Sequence, residues 1–328
     1  MLMRLLALLV LLLVAPATVL ADEGKGAGPA ERFSGTTFLY ENAFSIGHGG
    51  DLAAEASRVY TMSWIFTPSF AFTDRVSTSL VVPLTEELTE GSNTFDDELI
   101  VNNMIWSLDG VLPSPPLPGE PLSGGVGIAL ELPTSKVARA ESLVLGVAPY
   151  FTAGVRAPVL DGLSFSWKFA PSPRLQRYTT WSNMTARPCS PAAGCTFGPA
   201  GTTDTGYRNT ALQITQDFSV GIAALDDRLS VGAAFQLVHG RLHPKSPSPT
   251  YPEDAMSIPA NDGGDPWNLT YSLVFDVGFQ VHPLLSVSIG TWTPGGMRPG
   301  GNWYNPFGNR FTQVYIDVTL YPAALASP

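Results

Sequence analysis

Apolar and polar residues alternate along much of the chain, which is the period-two pattern of a β-strand with two different faces. The clearest stretch is 269–281, where Leu, Tyr, Phe and Val occupy the odd positions and mostly polar or small residues the even ones. Twelve stretches follow this pattern, and we predict strands at 36–46, 58–72, 76–85, 97–107, 124–133, 144–156, 162–171, 208–223, 228–240, 267–281, 284–293 and 311–321. The alternation is weakest around Glu41 and around Asn102-Asn103.

The connections between these strands are alternately short and long. A strand, a tight polar turn and a new strand that opens hydrophobic–Ser–hydrophobic recur at 72–79, 160–166, 225–232 and 281–288. The connections in between, such as 172–207 and 241–266, are long and rich in polar, Pro or Gly residues. Transmembrane barrels have short periplasmic turns and long extracellular loops. The pattern therefore predicts an all-β, up-and-down antiparallel transmembrane β-barrel of about 12 strands, although the connection 108–123 is longer than a periplasmic turn should be.

The apolar faces of the clearest predicted strands carry no charge, which is what contact with lipid requires. A Lys or Arg at the bilayer midplane costs about 2–4 kcal/mol. A soluble β-sandwich also alternates, but its solvent-facing side would be richer in Lys and Glu than these Ser, Thr, Gly and Gln faces. Several Trp and Tyr residues in or at the ends of strands, Trp292 among them, suit interfacial aromatic girdles. The sequence favours the barrel over the sandwich.

The N-terminus has the features of a secretory signal peptide. Arg4 precedes an apolar run up to Leu20, and Ala21 offers a small-residue cleavage site, whereas Pro16 disfavours a retained membrane helix. We therefore expect a signal peptide at 1–21, an N-terminal periplasmic segment at 22–35, the barrel at 36–322 and a short C-terminal tail at 323–328. The expected location is the bacterial cell outer membrane.

Composition limits the partners. Hydrophobic residues make up 45% of the chain, which excludes a disordered protein. The formal net charge of −10 argues against nucleic acid, whose phosphates need clustered Lys and Arg. Cys189 and Cys195 lie six apart in a Pro/Ala/Gly segment, which predicts a loop-closing disulfide in an exported protein. The expected partners are outer-membrane lipid, the outer-membrane assembly machinery and small-molecule solutes.

Three phrases along the chain resemble those of one family of outer-membrane proteins. Residues 67–84 look like that family's strand–Thr-Asp-Arg–strand–Pro hairpin, and 129–135 is similar to its strand ending in Leu-Pro-Thr-Gly, with Ser135 in place of Gly. The run 281–309 resembles its strand followed by a Pro/Gly-rich outer loop. The family is that of the meta-pathway phenol-degradation outer-membrane proteins. The resemblance implies an outer-membrane channel or transporter, with hydrophobic or aromatic compounds as the substrate class.

One feature departs from this resemblance. Outer-membrane barrels commonly end on an aromatic residue that the assembly machinery reads, whereas here a further segment follows Tyr321.

The sequence does not indicate catalysis. His239 and His243 are four residues apart, which on a strand means about 13 Å, a poor spacing for a shared metal ion. A lipid hydrolase needs a nucleophile within hydrogen-bond reach of its base, and no Ser lies two residues from a His on an apolar strand face, although cross-strand pairing leaves that open. We expect no catalytic, metal-binding or cofactor-binding residue and no cofactor.

Charged residues on the polar faces are the candidate site. The register places five of them toward the lumen: Glu131, Arg156, Lys168, Asp276 and Asp317. Opposite charges across a lumen can line a selective constriction, and they can equally form structural ion pairs that fill the barrel. The first functional hypothesis is a channel or transporter for small molecules. The second is a closed structural or binding barrel with large extracellular loops, and the third is a lipid-modifying enzyme.

Overall fold

The computed structural model describes residues 32–46, 59–89, 98–113, 122–157, 162–183, 203–226, 228–244, 267–296, 304–309 and 311–325. The strands are β1 (Thr37–Ser45), β2 (Tyr60–Thr67), β3 (Ser69–Ala71), β4 (Val76–Glu87), β5 (Glu98–Val101), β6 (Met104–Val111), β7 (Leu122–Leu132), β8 (Leu143–Arg156), β9 (Leu163–Gln176), β10 (Thr180–Asn183), β11 (Thr203–Arg208), β12 (Thr210–Ala224), β13 (Leu229–Leu242), β14 (Trp267–His282), β15 (Leu285–Gly296) and β16 (Gln313–Leu320). A short helix, α1 (Lys136–Ala140), lies between β7 and β8, and a 3₁₀ helix at Pro322–Leu325 follows β16. Within the described ranges, no helix is both long and apolar enough to cross a membrane.

The strands close into one antiparallel cylinder with twelve strand positions. β3 continues β2, and β5 and β6 share one position beside β4. The hairpin β10–β11 stands apart, so β9 pairs directly with β12. Closure is made by β1, which pairs with β2 on one side and with β16 on the other.

The predicted fold class is therefore confirmed, and the predicted strands coincide with the twelve positions. The strand predicted at 97–107 is interrupted at Asn102-Asn103, where the alternation is weak. The predicted connection 108–123 is too long, because β6 continues to Val111 and β7 begins at Leu122. The hairpin β10–β11 lies in the predicted loop 172–207 and was not expected. The predicted signal peptide and both cysteines lie outside the described residues.

Side chains alternate between two environments along each strand. Phe218, Phe275 and Ile316 point outward and are 41%, 43% and 43% exposed to solvent. Their neighbours Ser219, Asp276 and Asp317 point to the opposite side, into the barrel. An exposed apolar belt of this extent is unstable in water and stable against acyl chains, so the barrel spans a membrane with this belt against lipid.

Tight turns fix the strand order at one end of the barrel. Leu225 and Asp226 both have φ of 55°, the left-handed backbone of a hairpin turn. Gly162 has φ of 82°, and any Cβ there would lie 2.2 Å from the carbonyl oxygen of Ala223. Beyond β16, Tyr321 donates its backbone N–H to Leu284 at 3.0 Å, and its role in assembly stays a prediction.

The alternation on β12 gives a direct test of the lipid-facing side. Phe218→Lys should destabilise the barrel in lipid vesicles by about 2–4 kcal/mol, because it places an ammonium group in the apolar belt. Ser219→Lys, the matched control, places the same group in the lumen and should cost less than half as much. Urea unfolding measures both, and equal losses would show that the two faces of β12 are wrongly assigned.

Candidate functional site: the barrel lumen

The five predicted charged residues all occupy inward positions of their strands. Arg156 and Lys168 lie on the neighbouring strands β8 and β9, whereas Asp276 and Asp317 lie on β14 and β16, across the barrel. Glu131 lies on β7, beside β8. The structure thus separates the predicted residues into two walls, and their role in selecting solutes stays a prediction.

The first wall is acidic. Asp317 is the cross-strand partner of Glu41 on β1. Asp276 and Tyr315 are the two cross-strand partners of Gly290 on β15. The carboxylates of Asp276, Asp317 and Glu41 therefore all lie close enough to Tyr315 to act on it electrostatically.

Asp317 has spare acceptor capacity on this wall. Its Oδ2 accepts a hydrogen bond from Ser288 at 3.4 Å, whereas its buried Oδ1 accepts none from the described residues. The neighbouring Glu41 was not predicted as a site residue, because the alternation of its strand is weak at that residue.

The second wall holds a cation against an aromatic ring. The Lys168 ammonium lies 4.3 Å from the centroid of the Tyr150 ring, and the Tyr150 hydroxyl donates to Asp109. Lys168 is also the cross-strand partner of Asp217, which accepts a hydrogen bond from Gln236 at 2.7 Å. These contacts keep the ammonium at the wall instead of extended across the lumen.

Glu131 belongs to an ion-pair network at the outer mouth. Arg174 Nη2 lies 3.0 Å from Glu131 and 3.2 Å from Glu141, and its side chain is only 11% exposed. Asn103 donates to the same Glu131 carboxylate at 2.6 Å and accepts from the backbone of Ser135, the N-cap of α1. The network ties the α1 segment to the barrel wall.

Burial raises the pKa of the Glu141 carboxyl above its ordinary value, although the Arg174 guanidinium opposes the shift. Glu131 adds to the rise by like-charge repulsion.

A mostly apolar cavity of about 410 Å³ occupies the outer end of the lumen, on the acidic wall. Most of its lining consists of inward residues of β14, β15, β16 and β1, and Val59, Gly295, Tyr304 and Phe311 complete it. Its largest wall residue is Trp292, which pairs with Gln313 and Val274 and so shares the inward face of Gly290. The expectation that Trp292 belongs to a lipid-facing girdle is therefore wrong, since its position in the alternation turns it inward.

The described histidines do not form a shared site. His239 faces outward, and its cross-strand partners are Ile214 and Leu269, neither of which carries a nucleophile. His243 Nε2 lies 2.9 Å from Gln176, and burial lowers the pKa of its imidazole. His282 accepts a hydrogen bond from the Leu284 backbone in the β14–β15 turn.

Neither a family model nor a curated protein matches the sequence. Several solved structures, however, match the fold of the chain. The COG4313 outer membrane channel from Pseudomonas putida F1 aligns with a TM-score of 0.51 at 9% identity, over 90% of this chain and 99% of that one. The chain has the fold of an outer-membrane barrel.

Two porins align less well. NanC porin gives a TM-score of 0.45 at 8% identity, and KdgM porin in complex with disordered oligogalacturonate gives 0.43 at 9%. Each alignment covers 87% of this chain and 98% of the porin. At these identities the likeness concerns the fold alone, and the resemblance to the phenol-degradation family stays a prediction.

The mouth network predicts a stability difference between two neighbouring arginines. Arg174→Ala should cost about 1–3 kcal/mol of unfolding free energy, because it leaves two partly buried carboxylates without their cation. The exposed Arg177 is the control, and Arg177→Ala should change the same quantity by less than about 0.5 kcal/mol. Urea unfolding in vesicles measures both variants, and similar values for the two would contradict the network.

The raised pKa of Glu141 predicts that the α1 segment loosens as pH rises. The folded segment favours the protonated carboxyl, so this stabilisation is complete below the ordinary pKa of 4.5 and is lost as pH rises through the higher folded value. Glu141→Gln is neutral throughout and should lack this loss. Amide exchange protection of residues 136–141, compared at mildly acidic and mildly alkaline pH, checks it. The same pH dependence in both proteins would contradict the assignment.

Proposed function

We propose that the barrel is an outer-membrane channel through which small molecules pass by passive or facilitated diffusion. The observation that carries the proposal is a loosely filled lumen. Ser166 and Ser219 face inward and join hydroxyls at 2.6 Å, yet both remain exposed. In the described part of the chain, no large side chain is fully buried. An eight-stranded barrel is just filled by its side chains, and twelve strands enclose a wider space.

Small residues keep that space open along the inward face. On the inward face, Gly221 of β12 lies between Ser219 and Ala223, and Gly232 of β13 lies between Ser230 and Ala234. Gly278 of β14 has Ser230 and Ser288 as its cross-strand partners. Such a surface resembles that of a channel more than that of a packed core, in which large side chains interdigitate.

The charged residues of the lumen support selective passage of solutes. Asp276 and Asp317 on one wall face Lys168 and Arg156 on the other, an arrangement that orients polar solutes and sets ion preference. Glu131 acts differently in this proposal, since its pairing with Arg174 makes it a structural residue of the mouth.

The narrower proposal concerns the cargo. Hydrophobic or aromatic compounds are the class implied by the resemblance to the phenol-degradation family. The apolar cavity beside Trp292 supports this class, because a ligand with an apolar body gains from leaving water there.

Single-channel recording tests the proposal. The protein in planar bilayers should give ion-permeable steps, and Ser219→Trp should reduce their conductance at least about twofold, because an indole then projects into the lumen. Val220→Trp adds the same indole on the lipid side of the same strand and should leave the conductance unchanged.

Two other outcomes would replace the proposal. A folded barrel that stays silent in bilayers would favour a closed structural or binding barrel. Hydrolysis of phospholipid or lipid A acyl chains that is lost in His239→Ala would instead make the protein a lipid-modifying enzyme.

A further inference from the structure

The acidic wall of the lumen is built in two tiers. At the outer tier Trp292, Gln313 and Ser45 are successive cross-strand partners, and all three line the apolar cavity. Four residues closer to the periplasm, Asp317 and Glu41 occupy the same inward faces of β16 and β1. Four residues along a strand span about 13 Å, so one elongated small molecule reaches both tiers.

The outer tier is aromatic and held in place. The rings of Tyr304 and Phe311 meet edge to face, with centroids 5.4 Å apart. The Tyr304 backbone is fixed on both sides, since its N–H donates to Gly296 at 3.2 Å and its carbonyl accepts from the Tyr271 hydroxyl. The Phe311 N–H donates to Asn309 at 2.8 Å. The cavity volume of about 410 Å³ falls within the range of small-ligand sites.

The inner tier attracts positive charge. The four strands of this wall contain Glu41, Asp276 and Asp317 and no Lys or Arg. The nearest inward cation of the described mid-barrel, Lys168, lies on β9, across the lumen.

Aromatic faces add to this preference. Rings attract cations through the negative potential of their faces, and the attraction grows when water is excluded. Trp292 is 38% exposed, so part of this inward-facing residue is open to a ligand. From the outer mouth toward the periplasm, the wall thus offers first an apolar and aromatic surface and then carboxylates.

We infer that this wall is a binding site for small organic cations with an apolar or aromatic body. The body lies in the cavity beside Trp292, Tyr304 and Phe311, and the cationic group points toward Asp317 and Glu41. The inference rests on the proposed channel function and narrows its cargo from aromatic compounds in general to cationic ones. A neutral aromatic molecule gains only the cavity, and an anionic one is repelled by the carboxylates.

Binding to the refolded full chain in detergent tests the inference without any need for transport. (4-Phenylbutyl)trimethylammonium, 4-phenylbutan-1-ol and 4-phenylbutyrate serve as cationic, neutral and anionic probes with the same ring and linker, in isothermal titration. The cation should bind at least about tenfold more tightly than the alcohol, and 4-phenylbutyrate should bind most weakly. Equal affinities for the cation and the alcohol, or tighter binding of 4-phenylbutyrate, would overturn the inference.

Matched variants locate the site. Trp292→Leu should weaken binding of all the bound probes, whereas Trp267→Leu, on the lipid-facing side of β14, should not. Asp317→Asn should lower the affinity for the cation alone, while Asp217→Asn on the opposite wall serves as its charge control. Equal effects of Asp317→Asn and Asp217→Asn would contradict the placement. Heat-modifiable migration on gels confirms that each variant is folded.

The two proposals fail separately. If the barrel binds the cation but gives no conductance in bilayers, the binding site is supported and the channel function is rejected. If the barrel conducts but shows no preference for the cation, the channel function is supported and the binding site is rejected.

Discussion

The pairing of the first strand with the last determines the rest of this structure. Within a bilayer each unpaired backbone N–H or C=O costs several kcal/mol, so a spanning sheet must have no edge. Here β1 and β16 pair without a register break from Phe38 opposite Leu320 to Ser45 opposite Gln313. Because the pairing register also sets which side chains face inward, a slip of β1 by one residue would turn Glu41 toward lipid and away from Asp317.

Closure also builds the candidate site. Glu41 and Asp317 come from opposite ends of the sequence and become direct partners only when the barrel closes. The apolar cavity lies across the same seam, since it is lined by Ser45 of β1 and Gln313 of β16. The feature that distinguishes this lumen is therefore made by the same hydrogen bonds that make the fold possible.

Alternation predicted the fold and part of the site, and its failures have physical causes. Asp276, Asp317 and Lys168 lie on strands whose two faces differ strongly, so their direction could be predicted. Arg174 was missed because the strand was expected to end at 171. Pro171 and Pro173 argue against a central strand, yet β9 continues through both to Gln176. The ladder with β8 is interrupted there, between the partners of Gly146 and Phe151.

The width of the lumen depends on cross-strand tyrosine–glycine pairs that no local sequence pattern reveals. The Tyr150 ring lies over Gly127, its cross-strand partner, and the Tyr315 ring lies over Gly290 in the same way. Each ring is so close that a Cβ on the glycine would overlap it. Glycine thus lets each ring lie against the wall instead of across the lumen. Each ring also positions charge, since Tyr150 contacts Asp109 and Lys168 while Tyr315 lies among the three carboxylates. Lumen width and lumen charge are therefore set by the same two tyrosine–glycine pairs, and a side chain at either glycine would change both together.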